Sequence, residues 1–368
     1  MPAVVDVFIA GLGPAGARAA ATAAQNGCSV LAVDRKQEAG LPVQCAELVP
    51  GPIGQTTNNI AACRAQPVAA MHTYIGDHAA SVTAPFPGHI IDRADFDRYH
   101  VAQAQAAGAD CRFGVSLREF KDHHIELADG QRIEARVVIA ADGPRSRIGR
   151  AVGRCNQQFV ATRQITVPLL QPHDATDIFL HPSIRGGYGW LFPKGDRAHL
   201  GLGVELAARD TLPGLLDDLH RDLQTSARVG KTVFATTGGL IPVSGRIDPT
   251  VRQGNQLVLL AGDAAGLTNP ITGAGIHSAL VSGELAGAAA YAWIAGDADA
   301  ADDYREELET WFGASLDRAC RRRRDLAQVE RAGRPGRADY EQSWIAYPAY
   351  WHDEGAKRPN KTTAEIAA

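Results

Sequence analysis

The sequence predicts an α/β protein with a parallel sheet covered by helices, an inserted domain rich in antiparallel strands, and a helical C-terminal segment. Three observations support this fold class. An apolar strand at residues 4–10 leads through a glycine turn into an alanine-rich helix, as in the first βαβ unit of a parallel sheet. Short alternating strands separated by turns occupy residues 153–251, which is typical of antiparallel pairing. A continuous apolar strand at residues 256–261 then restores the first pattern.

The glycine turn after the first strand has the spacing of a dinucleotide-binding loop. Gly11 allows the tight turn, Gly13 lets the backbone approach a pyrophosphate, and Gly16 allows close packing of helix on strand. The second strand ends in Asp34, an acid placed to accept a hydrogen bond from a ribose hydroxyl. The residues expected to hold this half of a dinucleotide are Gly11, Gly13, Pro14, Ala15, Gly16, Asp34 and Arg35.

Two further glycine motifs follow predicted strands. Asp142-Gly143 comes after the strand at residues 135–141, and Gly262-Asp263 comes after the strand at residues 256–261. The turn Gly273-Ala274-Gly275 then opens a long helix. Because ligands of such sheets bind outside the carboxyl ends of the strands, these motifs are expected to lie at the same site as the first turn.

Composition and charge describe an ordinary globular protein. Hydrophobic residues make up 45% of the 368 residues, and a net charge of -4 gives no drive toward nucleic acid. The six cysteines form no CxxC or His-Cys cluster, so no metal site or disulfide framework is expected. The sequence contains no signal peptide and no run of ~18 apolar residues. We therefore expect a cytoplasmic protein, with peripheral contact to a membrane left open.

A run of four arginines, Arg321-Arg322-Arg323-Arg324, lies in the charged C-terminal segment. A solvated helix face is the favoured interpretation of such a run. Contact with an anionic lipid or a phosphate is the alternative.

The combined motifs resemble the FAD-binding pattern of the glutathione-reductase-like flavoproteins, and more closely the branch with aromatic hydroxylases and geranylgeranyl reductases. The resemblance implies a Rossmann-like FAD-binding domain. It also implies that Asp263 binds the ribityl chain and that the Gly273-Ala274-Gly275 helix start lies beneath the flavin pyrimidine. A helix N-terminus there stabilises the negative charge of reduced flavin by roughly 0.3–1 kcal/mol.

The same resemblance assigns two further cofactor contacts and the reductant. Arg93 matches the family position that contacts the dinucleotide, and Asp142-Gly143 matches the motif that helps to hold FAD. No second GxGxxG motif follows a strand. NAD(P)H is therefore expected to bind transiently as the reductant, without a binding domain of its own.

The stretch Tyr188-Gly189-Trp190-Leu191-Phe192-Pro193-Lys194 looks like the YxWxFPK signature of the geranylgeranyl reductase family. In that family the aromatic strand lines the cavity over the flavin. Cys45 falls where many members have a cysteine near the flavin, and Ala46-Glu47 follows it in place of the usual glycines. The resemblance makes Cys45, Tyr188 and Trp190 the candidate catalytic residues, with Cys45 and Tyr188 as acids or substrate positioners and Cys45 also as a cofactor contact.

The resemblance covers about residues 4–295 and gives the expected domain organisation. The expected domains are an FAD-binding domain at 1–70, 88–152 and 252–296, a β-rich substrate domain at 71–87 and 153–251, and a helical C-terminal region at 297–368.

The expected function is that of an FAD-dependent oxidoreductase acting on a small molecule or lipid. Flavin reduced by NAD(P)H would deliver hydride to one carbon of an isoprenoid double bond while an acid protonates the other carbon. Two alternatives keep the fold and the cofactor. One is a flavin oxidoreductase that passes electrons to a redox partner protein, for example in lipoate assembly. The other is an aromatic hydroxylase that uses oxygen.

Overall fold

The computed structural model describes residues 2–50, 63–121 and 123–352. Parts of two expected domains, residues 51–62 and 353–368, lie outside the described residues. The described strands are β1 (Ala3–Ala10), β2 (Val30–Asp34), β3 (Leu48–Pro50), β4 (Arg64–Val68), β5 (Ala70–Ile75), β6 (Ser81–Thr83), β7 (Gly88–Ile91), β8 (Asp110–Phe113), β9 (Leu117–Lys121), β10 (His124–Leu127), β11 (Arg132–Ala140), β12 (Phe159–Pro168), β13 (Ala175–Leu180), β14 (Gly189–Lys194), β15 (Arg197–Glu205), β16 (Ala235–Pro242), β17 (Thr250–Gln253) and β18 (Gln256–Leu260). The described α-helices are α1 (Pro14–Gln25), α2 (Arg93–Ala106), α3 (Arg147–Ala151), α4 (Leu212–Thr225), α5 (Ile276–Ala295), α6 (Ala300–Ala332), α7 (Arg337–Ser343) and α8 (Pro348–Trp351).

The first sheet contains the predicted parallel core. Its strand order is β17-β18-β11-β1-β2-β8, and β18, β11, β1, β2 and β8 run parallel to one another. The central strands are almost completely buried, with Phe8, Ile139 and Leu259 at 0% exposure. Continuous apolar strands of this kind need cover on both faces. The parallel α/β character predicted from the sequence is therefore confirmed.

Helices α1 and α5 pack against each other through small residues. A side chain at Gly283 would place its Cβ 2.2 Å from the Ala15 carbonyl oxygen, and one at Gly287 would lie 2.6 Å from the Ala19 oxygen. The absence of side chains at both glycines lets the two backbones approach closely. This contact holds together the two helices that begin at the predicted cofactor loops.

The second sheet has seven strands in the order β16-β12-β15-β14-β13-β5-β6. Its neighbours pair antiparallel, apart from β13 and β5, which run parallel with Asp177 opposite His72. Helix α4 covers one face of the sheet with Leu212, Leu216 and Leu223. The predicted antiparallel β-rich part of the fold is thus present, and its aromatic strand is β14.

A three-stranded sheet, β3-β7-β4, is built from strands that come before and after β5 and β6 in the sequence. Leu48 pairs with Ile90. The backbone N–H of Ile91 also donates to the Glu47 carbonyl oxygen over 2.9 Å. This pairing places the loop that carries Cys45 beside the start of α2.

The C-terminal segment is helical, as expected, and it packs on the first sheet. The Tyr304 hydroxyl on α6 is buried and donates to the Leu260 carbonyl oxygen over 2.7 Å. Within residues 2–50, 63–121 and 123–352, none of the helices has the length and apolar character needed for a membrane span.

The arginine run on α6 differs from a uniformly solvated face. Arg322 is only 8% exposed, and its guanidinium donates to the carbonyl oxygens of Ala349 and Tyr350 over 3.2 and 3.1 Å. Arg323 is half-buried and donates to the Pro270 oxygen. The favoured sequence interpretation was wrong for these two residues, because the C-terminal segment folds back over α6 and offers carbonyl groups to Arg322, and the turn before α5 offers one to Arg323.

Candidate active site

A cavity of about 960 Å³ lies where the two large sheets meet. Its size is near the upper end of the usual range for ligand pockets, roughly 300–1,000 Å³. The predicted site residues in its wall are Gly11, Gly13, Pro14, Ala15, Asp34, Arg35, Cys45, Arg93, Asp142, Gly143, Tyr188, Trp190, Gly262, Asp263, Gly273, Ala274 and Gly275. Gly16 is outside the wall and lies at the contact between α1 and the first turn.

The first glycine turn leaves backbone amides open to the cavity. Gly11 has a φ of +95° and lies so close to Ala141 that a Cβ would be 2.3 Å from its carbonyl oxygen. A Cβ on Gly16 would be 1.8 Å from the Gly11 oxygen, whereas the same position on Gly13 has no protein atom within 4 Å. Helix α1 begins after Gly13 without a side-chain cap. Its free N-terminal N–H groups are suited to an anionic ligand.

Asp34 has a structural role beside its predicted contact with a ribose. Its Oδ2 accepts from the Leu12 N–H over 2.8 Å, and its Oδ1 accepts from the Lys36 N–H over 2.9 Å. The carboxylate therefore fixes the first turn to the end of β2. A carboxylate has about four acceptor positions, so it retains acceptors for a ligand hydroxyl.

Asp142 and Asp263 bring acceptor oxygens into the cavity from the ends of β11 and β18. Oδ2 of Asp142 accepts from the Arg147 N–H over 2.7 Å, while its buried Oδ1 has no hydrogen-bond partner in the described part of the chain. Oδ1 of Asp263 accepts from the Thr268 hydroxyl over 2.6 Å. Burial raises the pKa of both carboxyl groups. Both sites therefore favour a ligand that donates hydrogen bonds.

A second helix, α5, also starts at the wall of the cavity. Gly273, Ala274 and Gly275 form the turn before α5, and no side chain caps this helix. Asn269 shapes the turn, because its Oδ1 accepts from the N–H groups of Ile271 and Thr272 over 2.9 and 3.1 Å. The uncapped N–H groups of α5 are thus held toward any negative charge in the cavity.

Strand β14 and the residue before it form an aromatic wall. The Tyr188 hydroxyl donates to the Thr272 carbonyl oxygen over 2.5 Å, and burial raises the pKa of this phenol. The Trp190 indole N–H donates to Oε1 of Gln164 over 3.0 Å. The Trp190 ring also lies on Gly201, where a Cβ would be 2.5 Å from the ring. Both aromatic side chains are therefore fixed in orientation.

Cys45 lies on the loop facing this wall. Its Sγ accepts from the Glu47 N–H over 3.2 Å, and its carbonyl oxygen accepts from Nε2 of Gln164 over 3.3 Å. Because Gln164 also binds Trp190, one buried amide connects the cysteine loop to the aromatic strand. The structure thus brings the three candidate catalytic residues into one wall of the cavity.

Arg93 is held at the start of α2. Its Nε donates to Oδ1 of Asp97 over 2.7 Å, and its backbone N–H donates to Oε1 of Glu47 over 2.8 Å. Burial opposes the charged form, but the Asp97 carboxylate and the Cys45 sulfur together outweigh it and hold the pKa of Arg93 above its ordinary value. Arg93 therefore brings a permanent positive charge to the cavity wall.

Sequence reasoning missed the side chain of Glu47. This carboxylate is 2% exposed and lies 2.6 Å from both Nζ of Lys194 and Nε2 of His199. Its partners are far away in the sequence, so no local pattern predicts the contacts. The one available signal was the replacement of the usual glycines by Ala46-Glu47.

A second charged cluster, also unforeseen, lies in the seven-stranded sheet. Oδ1 of Asp177 is 3.2 Å from Nδ1 of His72 and 3.1 Å from Nε2 of His173. The other oxygen of this buried carboxylate pairs with Arg228. The residue types and spacing are compatible with a metal ligand set. The Arg228 pair already supplies the carboxylate with a positive charge, which accounts for its burial.

The cavity residues fit a flavin dinucleotide. The space at Gly13 and the uncapped start of α1 suit a pyrophosphate, and the unpartnered Oδ1 of Asp142 requires a hydrogen-bond donor. Asp263 offers an acceptor to a polyol chain, and the uncapped start of α5 suits the negative edge of a reduced ring.

Comparisons with known proteins agree with this geometry. The chain is 33% identical to digeranylgeranylglycerophospholipid reductase 1 of Methanopyrus kandleri over 331 residues, which cover 83% of this chain and 85% of the relative. A second reductase of that name from the same organism is 33% identical over 344 residues, with 84% of each chain covered. No protein-family profile matches the chain.

Solved structures show the same fold. A geranylgeranyl bacteriochlorophyll reductase-like protein of Thermoplasma acidophilum superposes with a TM-score of 0.79 at 24% identity, covering 95% of this chain and 98% of that one. Together with the identity to the reductases over most of both chains, this establishes the relationship. The chain therefore belongs to the geranylgeranyl reductase family of FAD-dependent oxidoreductases.

Proposed function

We propose that this protein is an FAD-dependent reductase that saturates isoprenoid double bonds of a lipid. The observation that carries the proposal is that the wall of one cavity of about 960 Å³ contains both the dinucleotide-binding turns and the aromatic strand. The relatives with 33% identity are named as reductases of a digeranylgeranylated phospholipid, which supports a prenyl lipid as the substrate class.

The residues that would hold FAD lie at the carboxyl ends of the parallel strands of the first sheet and at the start of α5. Gly11, Gly13 and the start of α1 would bind the pyrophosphate, and Asp34 would bind the ribose. Asp263 would accept from the ribityl hydroxyls, and the start of α5 would stabilise negative charge on the ring. When bound, FAD supplies two-electron chemistry, in which it is reduced by NAD(P)H and donates hydride to a carbon–carbon double bond.

The chain itself supplies positioning and exclusion of water. Trp190, Phe192 and Trp344 are almost completely buried and line the cavity with apolar surface. An unactivated alkene accepts hydride poorly, so a fixed orientation must provide much of the rate enhancement. The hydrogen bond of Trp190 to Gln164 gives this wall the required rigidity.

The two candidate acids differ in suitability. The Tyr188 hydroxyl already donates to Thr272, and burial raises the pKa of the phenol, so its proton is poorly available. Tyr188 therefore suits the role of a substrate positioner. The Cys45 Sγ lines the same cavity and accepts a hydrogen bond from the Glu47 N–H, which makes the thiol the better candidate for contact with the reacting carbon.

Because the proposed substrate is a lipid, we propose that the protein acts at the surface of a membrane, on its cytoplasmic side. Two exposed tryptophans, Trp311 on α6 and Trp351 on α8, are suited to an interface between water and lipid. Sedimentation with anionic phospholipid vesicles tests this contact, because replacement of both tryptophans by alanine should reduce the bound fraction.

Anaerobic mixing experiments test the function. The FAD-loaded protein is reduced by NADH or NADPH and then mixed with a geranylgeranylated phospholipid under nitrogen, while flavin absorbance is followed. Reoxidation by the lipid supports the proposal. Reoxidation by oxygen alone, with a hydroxylated product, would instead indicate a monooxygenase, and reoxidation by a protein acceptor alone would indicate an electron-transfer role.

A further inference from the structure

Four charged side chains form a compact group beside the cavity, which we call the Glu47 cluster: Glu47, Asp92, Lys194 and His199. Oε2 of Glu47 lies 2.6 Å from both Nζ of Lys194 and Nε2 of His199. Nζ of Lys194 is also 3.4 Å from Oδ2 of Asp92. The other oxygen of Glu47 accepts from the backbone N–H of Arg93.

The cluster connects the cysteine loop to the aromatic hairpin. Glu47 is two residues beyond Cys45, Lys194 ends β14, and His199 lies on β15 opposite Phe192. Glu47 also has a φ of +66°, a left-handed backbone conformation that residues other than glycine rarely adopt. Such a strained conformation is kept only where the surrounding contacts hold it in place, and it is frequent at functional sites.

The exposed fraction of the side chain decreases from Asp92 through Lys194 to Glu47. The Asp92 side chain is 41% exposed and that of Lys194 is 24% exposed, whereas Glu47 is only 3% exposed. Glu47 nevertheless belongs to the wall of the cavity. The four groups therefore form a connected path of charged groups from solvent to the enclosed site.

The charge state of the cluster is set by its internal contacts. Burial opposes ionisation of Glu47, but the hydrogen bonds from His199 and Lys194 outweigh it and hold its pKa below the ordinary value. Besides His199 and Lys194, the charged groups that face Glu47 are Arg93, through its backbone N–H, and Asp92, through Lys194. Glu47 is accordingly a carboxylate at rest, and a proton that reaches it is passed on rather than held.

Saturation of an alkene consumes a proton as well as a hydride. The hydride pair from the reduced cofactor forms one C–H bond, while the π pair of the alkene takes a proton at the other carbon. The proton must enter a site from which water is excluded. Tyr188 is committed to the Thr272 carbonyl, so a supply from outside the aromatic wall is required.

We propose that the Glu47 cluster is the proton relay of this cavity. The Cys45 thiol gives its proton to the alkene carbon, and Glu47 returns a proton to the Cys45 sulfur. Lys194, the more exposed partner of Glu47, passes a proton from solvent to the Glu47 carboxylate with His199 held beside it, and solvent then reprotonates Lys194. This inference rests on the proposed reductase function and assigns its source of protons.

Glu47→Gln tests the relay with little change of shape. The amide keeps an acceptor for the Arg93 N–H but removes the charge that binds Lys194 and His199. We expect anaerobic reoxidation by the prenyl lipid to slow by about a hundredfold or more, as for loss of general acid–base catalysis. Its pH profile should flatten, while reduction by NAD(P)H and the FAD dissociation constant stay within about threefold of wild type.

A measurement on the FAD-free protein gives a readout independent of turnover. The alkylation rate of Cys45 by iodoacetamide, followed by peptide mass spectrometry across pH, should change its pH dependence in Glu47→Gln, because the relay couples the thiol to the Glu47 carboxylate. Glu119→Gln removes an exposed carboxylate on β9 and should leave both readouts unchanged. Lys194→Gln interrupts the same path at its solvent end and should also slow reoxidation.

The outcomes separate the relay from the function on which it rests. Wild-type reoxidation by the lipid together with slow reoxidation in Glu47→Gln and Lys194→Gln supports the relay. Wild-type rates and pH profiles in both variants would overturn the relay and leave the reductase function intact. Failure of the wild-type protein to react with the lipid would overturn both.

Discussion

The glycines of the first turn give a pair of matched perturbations that separate folding from cofactor binding. A Cβ at residue 16 would lie 1.8 Å from the Gly11 oxygen and 2.9 Å from its carbonyl carbon, both of which are backbone atoms. A Cβ at residue 13 would meet no protein atom within 4 Å. The same chemical change therefore strains the fold at one position and only occupies cavity space at the other.

Gly16→Ala should destabilise the FAD-free protein. The backbone must move by roughly 1 Å to relieve the overlap with Gly11, and overpacking of this kind costs about 1–3 kcal/mol. Gly13→Ala should change the free energy of unfolding by less than about 0.5 kcal/mol, as is usual for substitutions without a clash. Urea unfolding of the two FAD-free variants beside wild type measures both effects.

FAD affinity should respond differently. If the pyrophosphate approaches Gly13, an added methyl group should weaken FAD binding about tenfold or more, a loss of about 1.4 kcal/mol. Fluorescence titration of the FAD-free protein measures this constant. Wild-type FAD affinity in Gly13→Ala, or equal destabilisation by the two alanines, would refute the proposed placement of the dinucleotide.

Three further predictions concern stability. Tyr304→Phe removes the buried hydroxyl that binds the Leu260 oxygen and should lower the free energy of unfolding by about 1 kcal/mol, and an unchanged urea midpoint would contradict this. Gly214→Ala, in α4 with open space around it, should raise that free energy by up to ~1 kcal/mol, whereas a loss would contradict the absence of contacts. Burial lowers the pKa of His100 to about 4. As pH falls from about 6.5 to about 4, this histidine is therefore protonated in the unfolded chain and neutral in the native protein. Urea unfolding across this range should show a falling stability, by ~3 kcal/mol at most, and His100→Asn should remove that part of the slope.

The cofactor-binding turns could be predicted from the sequence, whereas the Glu47 cluster could not. Gly11, Gly13 and Gly16 could be interpreted because one backbone conformation and one helix contact demand them at that spacing. The parallel strands could be predicted for a similar reason, since their continuous apolar runs reflect burial on both faces.

The Glu47 contacts had no such local signature. Lys194 and His199 reach Glu47 only after the seven-stranded sheet has folded against the cysteine loop. The same reason explains Arg322, whose carbonyl partners lie on the returning C-terminal segment. Tertiary pairing of distant charges follows from the assembled fold rather than from periodicity or composition.

The most direct test of the central claim is mass spectrometry of the lipid after anaerobic turnover. The FAD-loaded protein, NAD(P)H and a geranylgeranylated phospholipid are incubated in deuterium oxide, and the recovered prenyl chains are analysed. Alkene reduction in this cavity predicts two added hydrogens for each saturated double bond. The hydrogen that is delivered as a proton should be deuterium. Full consumption of NAD(P)H with unchanged prenyl chains would contradict the assignment of this cavity to alkene reduction.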